Sequence, residues 1–229
     1  MASSTHLALR TALFAALALV ASGPARAQDL ARGKELFVLC AQCHGPEGAG
    51  NREFLAPTIA GLPDWYVSRQ LHAFHNGWRG LHPDDRGGLR MYPMSLALRT
   101  DADIEAVAAY VASLPRTHPA PVLSGGDAAK GAATWAVCTA CHGPEAAGNQ
   151  AVGAPPLRWQ SDWYLLTSLQ KFKAGIRGNN PKDAPALTMR GMAATLADDQ
   201  AMKDVIAYIG SLANQAAAAD TAPTQNPKP

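Results

Sequence analysis

CAQCHG, residues 40–45, packs two thiols and an imidazole into six residues: Cys40, Cys43 and His44. Ninety-eight residues later the chain spells CTACHG at 138–143, and the two hexapeptides use all four of its cysteines. The match spreads outward from the motif without a gap. At the same offset Gly33 falls on Gly131, Gly45-Pro46-Glu47 on Gly143-Pro144-Glu145, and Pro57 on Pro155. Further on, Asp64-Trp65-Tyr66 meets Asp162-Trp163-Tyr164, and Arg79-Gly80 meets Arg177-Gly178. Met91, Met94, Leu98 and Tyr110 then fall on Met189, Met192, Leu196 and Tyr208. One module is written twice, a tandem duplication.

In C-x-x-C-H the thiols stand about one helical turn apart, so both can add to the vinyl groups of one haem while the next residue turns its imidazole to the iron. A thioredoxin-like site would need its C-x-x-C on a βαβ pattern, which is absent. A zinc site built from two C-x-x-C pairs would not need histidine at the same place twice. A disulfide across two intervening residues is strained. The sequence therefore predicts two covalent haem c groups, attached through Cys40 and Cys43 and through Cys138 and Cys141. His44 and His142 are the proximal iron ligands.

Strand signals are nearly absent, and helix signals recur in pairs. Asp29 and Asp127 are good N-caps for helices leading into the two cysteine motifs. A second pair starts at Asp64 and Asp162 and stops at Gly77 and Gly175. A last pair follows the cap candidates Thr100 and Asp198, with Ile104, Val107, Val111 and Leu114 at the 3.6-residue period. The prediction is an all-α protein of two tandem domains, each of three to four short helices around its haem. The first domain spans 28–114, a Pro- and Gly-containing linker 115–126, and the second domain 127–212. The tail 213–229, rich in Ala, Pro and Gln, reads as disordered.

The distal ligands are sought by spacing. His44 to Met91 and His142 to Met189 are both 47 residues, each methionine beginning an M-x-x-M in what reads as a loop. A methionine alone is more often core filler than ligand. The second domain, however, has no histidine besides His142, which closes bis-histidine ligation there. The spare His72, His75 and His82 of the first domain have no histidine counterparts and read as surface or loop residues. Spacing leaves Met94 and Met192 open beside Met91 and Met189.

These residues resemble the class I cytochromes c, and the doubled arrangement is similar to the dihaem cytochrome c4 family over nearly all of 29–212. The resemblance implies that the ligand methionine lies seven residues before the leucine that opens the last helix. That register selects Met91 with Leu98 and Met189 with Leu196. It also implies that the carbonyls of Pro57 and Pro155 accept a hydrogen bond from the proximal histidines. Phe37 with Tyr110, and Trp135 with Tyr208, sit where the family's first and last helices cross. The implied function is an electron carrier, not an enzyme, shuttling single electrons between redox proteins, toward a terminal oxidase or from a dehydrogenase. The alternatives are a haem-bearing subunit of a sulfide or alcohol dehydrogenase complex and, third, a dihaem enzyme such as a peroxidase.

Residues 1–27 read as a cleaved secretory signal: an apolar run from Leu13 to Ala21 precedes Ala25-Arg26-Ala27. The apolar run is too short to span a bilayer. Removing Arg10 and Arg26 leaves 18 basic and 18 acidic residues. That balance gives no basic patch for nucleic acid and no cationic amphipathic stretch for a membrane. The expected location is the periplasm, free or loosely membrane-associated, with no membrane span after cleavage.

Overall fold

A computed structural model describes residues 22–221, with side chains from 29 to 217. Most of the expected signal segment and the last eight residues lie outside the described residues. Eight α-helices are described, four per module. They are α1 (Ser22–His44), α2 (Asp64–His75), α3 (Arg86–Leu96) and α4 (Asp101–Ser113) in the first module. The second has α5 (Ala128–His142), α6 (Asp162–Lys173), α7 (Ala184–Ala194) and α8 (Asp199–Thr221). Among the described residues no strand forms beyond two isolated bridges, Asn51 with Ala56 and Asn149 with Ala154.

In each module the first and last helices cross and the second helix packs on the last. The crossing is possible because Gly33 and Gly131 carry no side chain. A Cβ at Gly33 would overlap the Ala106 carbonyl of α4, and one at Gly131 the Asp204 carbonyl of α8. Beside each glycine an aromatic pair fills the crossing, Phe37 with Tyr110 at 5.2 Å and Trp135 with Tyr208 at 6.3 Å between ring centroids. Ile104, Val107 and Val111, predicted on one face of α4, are all buried with Leu71 and Phe37 in the first core. Trp135, Leu165, Val205 and Ile209 form the second. Burying each such side chain contributes about 1.5–3 kcal/mol.

The caps explain where most helices begin. Thr100 accepts from the Asp103 N–H, Asp198 from Ala201, and Asp127 from both Ala129 and Lys130. Asp29 is different. It does not cap α1, which already runs through it as helix from the first described residues. At the other end α8 continues past Leu212 to Thr221. The run of alanines from Ala216 to Ala219 has the highest helix propensity available, so this part of the tail, expected to be disordered, is helical.

The M-x-x-M segments are also corrected: they are helical, not loops. Asp85 caps α3 through the Gly88 N–H and Asp183 caps α7 through Ala186. Gly87-Gly88 and Pro93 read as breakers in sequence. The buried cap holds the first turn, and the helix carries Pro93 in its interior at the loss of the one bond that residue cannot donate, to the Leu89 carbonyl.

The linker is tied down. Asp162 accepts from the N–H groups of Val122 and Leu123, at 2.7 Å each, and Thr117 bonds Thr58 at 2.7 Å. The modules also touch directly. Gln160 donates to the Thr58 carbonyl, and from the linker the Arg116 guanidinium lies 3.8 Å from the Trp159 ring centroid.

Candidate haem-attachment sites

Each C-x-x-C-H closes a helix, with His44 the last residue of α1 and His142 the last of α5. The chain then doubles back at once: the Gly50 N–H bonds the His44 carbonyl and the Gly148 N–H bonds that of His142. The small bridges that follow bring a proline against each imidazole. His44 Nδ1 is 2.8 Å from the Pro57 carbonyl oxygen, and His142 Nδ1 is 2.9 Å from that of Pro155. A carbonyl only accepts, so both rings carry their proton on Nδ1 and leave the Nε2 lone pair for a metal. Burial pushes both imidazoles below their ordinary pKa, against the opposing pull of the proline bond. Both are buried and neutral at pH 7, the form that ligates a metal.

The four cysteines are unpaired and half-buried. Burial pushes the Cys40 thiol up to about 11 and raises that of Cys138 as well. These are protonated thiols in apolar surroundings, without the activation of a thiol–disulfide exchange site. Nor do the two C-x-x-C pairs meet: among the described residues no three His, Cys, Asp or Glu side chains converge to hold a metal ion.

A cavity of about 370 Å³ opens beside the second motif, with Cys138, Cys141, His142, Pro155, Met189 and Met192 in its wall. Met189 packs on Phe172, Ala186 and Ala193. In the first module Met91 packs against the core, while Met94 is 38 % exposed. Burial thus separates the two methionines in the first module and leaves both at the cavity in the second. The spare histidines do not converge on these sites. His72 faces Glu105, His82 faces Asp84, and His75 donates to the Ser95 carbonyl.

A group of residues that the sequence reading missed lies between the modules. Gln70 Oε1 accepts from Arg79 at 2.5 Å and from Arg177 at 3.1 Å, and Arg79 donates to the Tyr164 hydroxyl at 2.9 Å. Arg79 and Arg177 each lie 4.4 Å from a phenylalanine centroid, Phe74 and Phe172. Burial opposes ionisation of Tyr164, yet Arg79 and Arg177 overcome it and draw the phenol down to about 7. The one signal in the sequence was the repeated Arg-Gly pair, Arg79-Gly80 and Arg177-Gly178.

A family model for cytochrome c matches residues 30–115 and again 128–213. The chain belongs to the cytochrome c family. It is 31% identical to cytochrome c4 of Azotobacter vinelandii over 79% of this chain and 86% of that one. It is 33% identical to the thiosulfate dehydrogenase electron acceptor of Stutzerimonas stutzeri, over 75% and 79% respectively. A solved thiosulfate dehydrogenase from Marichromatium purpuratum superposes with a TM-score of 0.64 at 33% identity, covering 80% of this chain and 40% of that one. The cytochrome is a dihaem electron carrier of the c4 type with two covalent haem c groups.

The residues present fit that cofactor. Arg69 and Arg177 line the second cavity, and the Nε atoms of Arg69, Arg79 and Arg177 are buried without a hydrogen-bond partner. Buried cations call for anions, and haem carries two carboxylates. Apolar walls suit its ring, the unpaired thiols its vinyl groups, and Nε2 of the histidine its iron.

Proposed function

We propose that this cytochrome carries single electrons in the periplasm, with His44 and Met91 as axial ligands of the first haem and His142 and Met189 of the second. When bound, haem c supplies one-electron iron chemistry, and methionine ligation sets its potential high. The chain's own residues hold and shield it. Pro57 and Pro155 fix the imidazole tautomer, Met91 and Met189 close the far side, and Arg69, Arg79 and Arg177 offer their free N–H groups to carboxylates. The single observation that carries the reading is that one ligand set occurs twice, with each histidine Nδ1–H on its proline carbonyl and the inner methionine against apolar side chains. With a histidine and a methionine at each iron, no position would be left for a substrate, which favours a carrier over a peroxidase.

Its electron donor is proposed to be a dehydrogenase acting on a reduced sulfur compound, with a terminal oxidase downstream. Similarity to a thiosulfate dehydrogenase electron acceptor supports the donor. A second reading, a haem-bearing subunit fixed to its dehydrogenase, is favoured by the solved thiosulfate dehydrogenase, of whose chain this one covers 40%. Export rests on residues 1–27. No helix of the described residues is long and apolar enough to cross a membrane.

Substitution tests the ligands. Met91→Ala and Met189→Ala should each remove one of two equivalents of the weak near-infrared band of methionine-ligated ferric haem. Met94→Ala and Met192→Ala should leave both. Loss of the band on changing the outer pair would reverse the assignment.

A further inference from the structure

Each methionine helix is clamped at its C-terminal end by its own module. His75 donates to the Ser95 carbonyl at the end of α3, and Lys173 donates to the Leu196 and Ala197 carbonyls just beyond α7. The N-terminal ends differ. The Asp85 carboxylate that caps α3 is 2 % exposed and accepts from the Gly88 N–H at 2.9 Å. Its other partner comes from the second module: Lys171 Nζ, on α6, lies 2.6 Å from Asp85 Oδ1. The matching cap, Asp183, is also buried; among the described residues no cation bonds it as Lys171 bonds Asp85, although its charge acts on Arg69 of the first module. Position 73, the counterpart of 171, is an alanine and cannot reach across.

Gly88, Met91 and Ser95 lie at i, i+3 and i+7 of α3, so the inner methionine shares the inward face that begins at the capped turn. That turn is closely seated. The Gly88 carbonyl lies against Gly80, which has a φ of +89°, so that an added Cβ would come within 2.7 Å of the carbonyl oxygen. Loss of the cap therefore cannot be absorbed by repacking the turn where it sits.

We propose that Lys171 is a positioning residue for the first haem: the second module, through the Lys171–Asp85 pair, holds the helix that presents Met91 to the iron of the first. This rests on Met91 being that ligand. Removing the ammonium leaves a buried carboxylate without its charged partner, and the cheapest relief is for the α3 N-terminus to open toward water. Opening draws Met91 from the iron, so the first haem becomes easier to ligate from outside and the second does not.

The test uses the holoprotein in a Met189→Ala background, where the near-infrared band reports the first haem alone, and titrates it with imidazole. Lys171→Met should raise the apparent imidazole affinity of the first haem on the order of tenfold, as loss of a hydrogen bond to a charged group would. Lys171→Arg should restore most of the parent value. Asp85→Asn keeps an acceptor for Gly88 and removes the buried charge. It should produce a smaller shift alone, and added to Lys171→Met it should recover part of the loss. A role confined to stability would lower the melting temperature and leave the imidazole titration where it was. That result in both Lys171→Met and Asp85→Asn overturns the proposal. Absence of the band from the Met189→Ala parent would instead remove Met91 as the ligand, a separate failure visible before any lysine is changed.

Discussion

Alanine for glycine should have opposite signs at two positions in the second module. Gly131 lies in α5 where it crosses α8, and a Cβ there would overlap the Asp204 carbonyl and stand 3.0 Å from the Tyr208 Cβ. Neither neighbour can swing aside, because one is backbone and the other is fixed by the Trp135 contact. The two helices must move apart, and overpacking of this kind costs about 1–3 kcal/mol, toward the upper end where backbone is displaced. Ala regains about 1 kcal/mol over Gly in a helix interior, leaving a net loss of roughly 1–2 kcal/mol. Gly210, in α8, has nothing within 4 Å of its would-be Cβ. There the helix term stands alone, and Gly210→Ala should stabilise by about 0.5–1 kcal/mol. Urea midpoints of the holoprotein, followed by far-UV circular dichroism, provide the comparison. Equal shifts of the same sign would refute the argument that the crossing, rather than general helix propensity, explains Gly131.

Two further outcomes follow from the caps. Burial works against ionisation of Asp85, but the Lys171 ammonium, the Gly88 N–H and the Arg79 charge outweigh it and hold the carboxyl below its usual range. A depressed carboxyl stabilises the fold above the unfolded-state value near ~3.9 and loses that contribution as pH falls through its folded value. Asp85→Asn should therefore flatten the acid limb of the stability profile below about pH 4, measured as urea midpoint against pH. Asp127→Ala removes the acceptor for two α5 N–H groups and should cost about 1 kcal/mol by the same assay, without altering the haem spectrum.

What could be read from the sequence was what repeats. Cys40, Cys43, His44 and Pro57 each recur 98 residues on, and a coincidence at one offset across so many chemistry-bearing residues has a single physical meaning. The methionine helices were harder, because Gly87-Gly88 and Pro93 argue locally for a loop. The cap that overrules them was present as Asp85 and Asp183, a pair at that same offset. The cluster joining the modules was not legible. Gln70, Arg79, Tyr164 and Lys171 are brought together by how one domain sits on the other, and no period within either domain encodes that. The passage of α1 through Asp29 escaped for a different reason: the repeat suggests the cap of the second module, Asp127, for a first module whose chain is already helical there.

Arg69 belongs to the first module, yet it lines the cavity of the second. There it meets Asp183, whose negative charge acts on it, while Lys171 of the second module pairs with Asp85 of the first. Each module thus sets a cation near the other's methionine-helix cap, and neither cation recurs in the other copy, where the matching positions are Thr167 and Ala73. Duplication alone would give a wire with interchangeable ends. Arg69 and Lys171, each present in one copy alone, are what tell the two ends apart.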